Sequence, residues 1–185
     1  MAERWLRAGI AVGVLDPLGD DWPATWATTD AEYFLYLAKR RTRHALIVDE
    51  SGVSVGLNNP HMSWLTTTSR HLGHSCYFLA QRAVQLPLTL RENCQGLFAF
   101  ALGPKDARLL AETWNKPELL ENSTIPAGEF KWCQRFAETR RGVIDFRSQS
   151  LRWLNAPKTP AADRSLSARE RDTVCARRGM RRRAG

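Results

Sequence analysis

The sequence predicts an α/β domain built on a mainly parallel sheet, and three observations carry that expectation. Short apolar runs alternate along the chain with amphipathic segments, the pattern of βαβ units. One run, Ala45-Leu-Ile-Val48, is apolar at four successive positions, two of them β-branched, as in a strand buried on both faces. Asp49-Glu50 follows at once. Burying adjacent charges is costly, so the pair belongs on the rim at the strand's C-terminal end, where open parallel sheets bind ligands. Neighbouring carboxylates there suit nucleotide hydrolysis, one ordering Mg²⁺ and the next polarising the attacking water. Taken alone, the six residues fit a strand ending in a solvated acidic turn better.

The elements follow in order. Glu3 to Ala8 reads as a helix with no cap before it, which suggests a missing upstream segment. Ile10–Leu15 is the first strand, stopped by Asp16-Pro17 because Pro has no N–H for a ladder. Asp16 suits an Asx turn better than a place in a site. Leu18–Pro23 is a loop. Thr29-Asp30 caps a helix to about Arg41, with Tyr33, Phe34, Leu37 and Ala38 on one face. After the Ala45–Glu50 strand, Gly52–Pro60 has loop composition. A helix over about Met62–His71 stops near Gly73, and Ser75–Ala80 is the third strand, leading into Gln81-Arg82. Past Pro87 a short helical turn leads to the fourth strand, Gly96–Leu102. Pro104 then opens a helix to about Trp114, the position where a missing N–H costs nothing. Glu129–Phe136 alternates polar and apolar, and Arg141–Phe146 returns as its partner in a hairpin.

Charge divides the chain in two. Residues 147–185 hold 11 of the 27 Lys+Arg and 3 of the 19 Asp+Glu, leaving 16 of each in residues 1–146. The whole net charge of +8 therefore sits in the last fifth. The expected organisation is a folded, neutral core over 1–146 and a basic, disordered tail over 147–185. No apolar run has the length of a membrane span, and the amino terminus has no signal-peptide pattern. The four cysteines are widely spaced with no CxxC pair, as in a reduced, cytoplasmic protein.

One segment carries a resemblance. It reads Ser69-Arg-His-Leu-Gly-His-Ser-Cys-Tyr-Phe-Leu-Ala-Gln-Arg-Ala, then Leu-Arg-Glu-Asn-Cys94, a strand, and Gly103-Pro-Lys-Asp-Ala-Arg-Leu-Leu-Ala-Glu112. With Leu46-Ile-Val-Asp-Glu50 in the place of a Walker B strand, and Val14-Leu-Asp-Pro17 in that of the strand after the P-loop helix, it resembles P-loop ATPases of the FtsK/HerA type. Viral and phage DNA-packaging ATPases are the nearest kind, and the likeness spans roughly Ala2 to Phe146. The resemblance implies an ASCE/RecA-like core that hydrolyses ATP with Mg²⁺ to move DNA, working as a homo-oligomeric ring in the cytoplasm, that of a bacterial host if phage-encoded. Asp49 would order Mg²⁺, Glu50 would position the attacking water, and Gln81 would sense that water or the γ-phosphate. Arg70 would reach into the adjoining subunit's site as an arginine finger, with Arg91 as a second candidate. On the residues alone, Gln81 is a strand-end amide and Arg70 a cation at a helix C-terminus.

The family's GxxxxGK[ST] loop, which cradles phosphates on backbone N–H groups and a Lys, is absent from these 185 residues. So is the strand before it, which the family places centrally, beside the sensor strand. Its loss would leave two strands to pair directly or stand apart. Three readings fit: a fragment of an ATPase, half of a split motor, or a degenerate relative. Truncation is favoured, and the chain alone is expected to bind ATP weakly or not at all and to be inactive. Two alternatives stand beside the motor. One is a non-enzymatic nucleic-acid-binding protein acting through phosphate contacts of its Arg-rich tail, where Trp153 is the lone aromatic suited to stacking. The other is an unrelated α/β domain.

Overall fold

A computed structural model describes residues 1–54, 62–148 and 150–154. Among the described residues there are eight strands in two four-stranded sheets. The first sheet is parallel, in the order β2-β1-β3-β4, with β1 at Val12–Leu15, β2 at Trp26–Thr28, β3 at Ala45–Val48 and β4 at Ser75–Phe78. The second is antiparallel, β5-β6-β7-β8, with β5 at Gly96–Ala99, β6 at Glu129–Gln134, β7 at Arg140–Asp145 and β8 at Ser150–Trp153.

β1 and β3 are buried at every position, because the parallel sheet is covered on both faces. Side chains alternate across a strand. Val12, Val14, Ala45 and Ile47 therefore meet α1 (Ala2–Arg7) through Ala2, Trp5 and Leu6. Leu15, Leu46 and Val48 face the other way, against Phe34, Leu35 and Ala38 of α2 (Ala31–Lys39). Met62 and Leu65 close this second core. Asp30 caps α2 as expected, its carboxylate accepting from the N–H of Glu32 and Tyr33. The edge strand β2 is held by shape: a Cβ on Gly13 would lie 2.2 Å from the Trp26 ring, so only Gly lets that ring lie across β1.

Between β3 and β4 run a one-turn helix α3 (Ser51–Ser54), α4 (Ser63–Thr67) and a 3-10 turn over Ser69–Leu72. The single helix expected over Met62–His71 is thus interrupted at Thr68, within the run Thr66-Thr67-Thr68, whose β-branched side chains disfavour regular helix. Gly73 ends it in the left-handed conformation, φ 76°. After β4 come a 3-10 turn at Ala83–Gln85, α5 (Leu88–Asn93), and past β5 the long helix α6 (Pro104–Trp114) with Pro at its start.

Three expectations are corrected. The strand beginning at Gly96 does not extend the parallel sheet; it pairs with β6 antiparallel and joins the hairpin. The hairpin also gains β8, so ordered structure runs past Phe146, the expected end of the core. Trp153 is not a free stacking ring: it packs edge-on to Phe130 at 5.5 Å with the Arg140 guanidinium 3.8 Å from its ring centre. The loop expected over Gly52–Pro60 lies largely outside the described residues, and so does the basic tail from residue 155 on.

Leu97, Ala99 and Cys133 of the antiparallel sheet pack on Leu110, Ala111 and Trp114 of α6 and on Leu119. Cys94 packs against this core and against the α2 core, joining the two sheets. Burial pushes its thiol up to about 11, so it is an inert packing group. Among the described residues β4 is bonded to a strand on one side only, and so is β5. The N–H groups of Ser75 and Leu79 turn toward β3. Strand alternation then sends the backbone groups of Cys76 and Phe78 toward the outer edge, where no described strand lies.

Candidate functional site

The acidic turn after β3 is clamped by its two neighbours. The Asp49 N–H bonds to the Leu15 carbonyl at 2.8 Å, at the exit of β1, and the Ser51 N–H bonds to the Leu79 carbonyl at 2.8 Å, just past β4. The buried Ser51 hydroxyl donates back to the Val48 carbonyl at 2.7 Å. Between these anchors Glu50 takes a left-handed conformation, φ 44°, which is costly for a non-Gly residue and reverses the chain within one residue. Asp49 Oδ1 accepts the Glu50 N–H at 2.8 Å, fixing the two carboxylates relative to each other.

Gln81, three residues beyond the end of β4, donates through Nε2 to Glu50 Oε1 at 2.8 Å. Two residues thirty-one positions apart therefore meet on one rim because β3 and β4 are adjacent and parallel. The bond is solvent-accessible and contributes little to stability, about 0.5–1.5 kcal/mol at most. What it does is aim the Glu50 carboxylate.

Asp16, at the exit of β1, is buried and makes the expected turn: its carboxylate accepts from the Leu18 N–H at 2.9 Å, the Asp20 N–H at 2.7 Å and the Trp22 indole at 3.1 Å. Burial pushes this carboxyl up, but those donors more than offset it and hold it below the usual range, so Asp16 stays charged. Asp49 has the opposite balance. Burial raises it first, the negative charges of Asp16, Glu50 and Asp20 raise it further, and the Glu50 N–H only partly opposes them. Asp16 thus makes the expected turn and also lines the rim, with Asp20, as a negative neighbour of Asp49; the signal for this second role is a carboxylate at the exit of two neighbouring apolar runs.

A raised native pKa means the charged form of Asp49 is disfavoured on folding. Stability therefore falls as pH rises from the ordinary Asp value through the raised native one, and the full penalty is present at pH 7. Asp49→Asn keeps the acceptor for the Glu50 N–H and removes the penalty. It is expected to stabilise the fold at pH 7 by about 0.2–1 kcal/mol, since solvent screens a half-exposed carboxylate, with the gain vanishing near pH 3.5, about where an unperturbed Asp protonates. Thermal melts at the two pH values check this.

The two arginines are placed elsewhere. Arg70 is exposed in the 3-10 turn before β4, at the end of the parallel sheet opposite Asp49 and Glu50. Arg91, on α5, is half-buried and donates to the Leu86 carbonyl at 3.2 Å and to the Thr113 hydroxyl at 3.1 Å, tying α5 to α6. Among the described residues Arg91 is engaged with Leu86 and Thr113, and Arg70 stands at the other end of the sheet from Asp49 and Glu50.

The fold has solved counterparts. The genome-packaging NTPase B204 from Sulfolobus turreted icosahedral virus 2, in complex with AMPPCP, superposes with a TM-score of 0.62 at 13% sequence identity, over 82% of this chain and 85% of that one. The chain has the fold of a viral genome-packaging NTPase. The same protein in complex with sulfate gives a TM-score of 0.60 at 14% identity, over 82% and 84% of the two chains. The DNA-packaging ATPase B204 from Sulfolobus turreted icosahedral virus gives 0.58 at 12%, over 82% and 85%. No family model matches the chain, and no curated protein matches it in sequence. Within the packaging-NTPase fold, Asp49, Glu50 and Gln81 lie at the C-terminal rim of the parallel strands, where doubly wound sheets bind their ligands. Among the described residues no helix is long and apolar enough to cross a membrane.

Among the described residues no group of three or more His, Cys, Asp or Glu side chains is arranged to hold a metal ion by itself, so a cation here would take part of its oxygen shell from elsewhere. A half-buried carboxylate raised by partial desolvation and by neighbouring negative charges is one that a hard divalent cation relieves, and oxygen ligands are what Mg²⁺ takes. The phosphate half has no counterpart in the sequence, which contains no GxxxxGK[ST].

Proposed function

We propose that this chain is the metal- and water-handling part of a motor ATPase that translocates or packages DNA, and that on its own it does not turn over ATP. The observation that carries the reading is the Gln81–Glu50 hydrogen bond at 2.8 Å, made across adjacent strand exits on a packaging-NTPase fold. Asp49 would hold Mg²⁺, with the cation supplying charge neutralisation for the phosphates. Glu50 accepts the proton of the attacking water, and Gln81 holds its carboxylate in line and reads the γ-phosphate side of the site. Arg70 serves the site of the adjoining copy in a homo-oligomeric ring; its place at the opposite end of the sheet suits action in trans. Arg91 is the weaker candidate, since its Nε and Nη1 are already engaged in tying α5 to α6.

The phosphate loop enters this reading from a strand-and-P-loop segment. The outer edges of β4 and β5, each without a strand neighbour among the described residues, are where such a strand would pair. The experiment is ATP hydrolysis, with and without DNA, by the chain joined at its amino end to a strand–GxxxxGK[ST] segment. Hydrolysis stimulated by DNA supports the reading, and a completed protein that leaves ATP intact overturns it. The concentration of the net +8 in residues 147–185 favours a second reading, a non-enzymatic DNA-binding protein working through its tail. That reading expects DNA affinity that disappears with those residues and no dependence on Glu50.

A further inference from the structure

The neutral sum over residues 1–146 hides a segregation of charge along the parallel sheet. Asp16, Asp20, Asp49 and Glu50 gather at the C-terminal ends of the strands. The opposite end carries Lys39, Arg40, Arg41 and Arg43 in the five residues that close α2 and lead into β3. Next to them α2 leaves two aromatic rings in water: Tyr33 is 52% exposed and Tyr36 49%. The rings lie nearly parallel, 6.1 Å between centroids at 10°. The Arg40 guanidinium continues the stack, 3.7 Å from the Tyr36 ring centre. Arg43 has a positive φ of 57°, and its N–H bonds to the Leu72 carbonyl at 2.9 Å.

We propose that this Tyr33–Tyr36–Arg40 stack, flanked by Lys39 and Arg43, is a surface that grips the phosphate backbone of duplex DNA. Cations at a helix C-terminus commonly answer the helix dipole, and Arg40 and Arg41 do donate to the Tyr36 and Leu37 carbonyls. A dipole equivalent to about half a charge does not call for four cations, nor does it account for two exposed rings. Among the described residues, Lys39, Arg40 and Arg43 make no ion pair with a carboxylate, so their charge is available to a partner. Glu32, in the first turn of α2 beside Tyr33 and one turn from Tyr36, is the acidic residue on this face, and it lies two turns from Arg40. A guanidinium stacked on a ring is held in place and partly desolvated before any partner arrives, which lowers the entropy lost on binding. Tyrosine hydroxyls and Arg or Lys are the side chains that position proteins on phosphates without reading sequence.

The proposal rests on this protein handling DNA but not on ATP hydrolysis. The test is fluorescence anisotropy of a labelled duplex of about 30 base pairs titrated with the full chain, from about 50 to 200 mM salt, the range over which salt competes with phosphate binding. The comparison is with Lys39→Gln/Arg40→Gln/Arg43→Gln, whose far-ultraviolet dichroism and melting confirm the fold. The variant is expected to bind at least about 10-fold more weakly at 100 mM salt. Its slope of log affinity against log salt is expected to be shallower by about 2–3, because each cation removed leaves one phosphate un-neutralised. Tyr33→Phe/Tyr36→Phe, which keeps the rings, is expected to weaken binding several-fold by removing the hydroxyl contacts to phosphate, and unchanged binding would overturn the part given to the tyrosines. Wild-type affinity and slope in the triple variant would overturn the surface while leaving tail-mediated binding intact. A wild-type chain that binds no DNA would overturn the surface and the DNA role together, without bearing on hydrolysis.

Discussion

Glu50→Gln lowers ATP turnover by the P-loop-completed protein by about 10²–10⁴-fold, the usual contribution of a positioned general base, while nucleotide affinity is retained. The substitution is conservative in every respect but one. A Gln side chain has the same length and still presents an Oε1 acceptor to Gln81 Nε2, so the 2.8 Å bond and the turn that carries it survive. What disappears is the charge that accepts a proton from water. Because Glu50 does not hold phosphate in this account, the loss appears in kcat and not in the dissociation constant. Measuring both on the same preparation separates the two. Turnover within about threefold of wild type would remove Glu50 from its role, since general-base effects below about 100-fold are atypical.

The largest effect on stability is expected from Phe34→Ala. Phe34 is fully buried, lies 5.2 Å centroid to centroid from Trp26, and fills the core where α2 meets Leu15, Leu46 and Val48. Truncation to Ala removes the ring's transfer free energy and leaves a cavity lined by strands that cannot collapse inward, a cost of about 3–5 kcal/mol. For a chain of this size that is a fall in thermal midpoint of roughly 6–20 °C. Tyr33→Ala, on the wet side of the same helix, is the control and should stay within about 0.5 kcal/mol of wild type. A large loss for Tyr33 with little for Phe34 would mean α2 is turned about its axis.

Most of the parallel sheet was legible because its signals are local. Four consecutive apolar residues at Ala45–Val48, Asp30 ahead of α2 and Pro104 at the start of α6 each state their own structure. β2 was missed because it is three residues long and its residues Trp26-Ala-Thr28 lack a strand pattern; it exists because Gly13 leaves room for the Trp26 ring. The strand from Gly96 was found but assigned to the wrong sheet, since an apolar run specifies a buried strand and not the direction of its neighbour. β8 hides in a stretch rich in Arg and Ser, where alternation of Leu151 and Trp153 is too short to register. In the candidate site, Asp49 and Glu50 could be marked from composition and position, but the meeting of Gln81 with Glu50 depends on β3 and β4 being adjacent. That is a property of strand order, which no single segment of the sequence encodes.

The central claim is that these residues form one half of a nucleotide site and lack the other. Calorimetric titration of Mg²⁺–ATP into the 185-residue chain, and into the chain completed with a strand–GxxxxGK[ST] segment, tests it most directly. The account predicts no saturable binding to the chain alone below about 1 mM, about −4 kcal/mol, and tighter binding by at least 10-fold once the phosphate loop is present. Micromolar binding of Mg²⁺–ATP by the 185-residue chain, unchanged on completion, would contradict it.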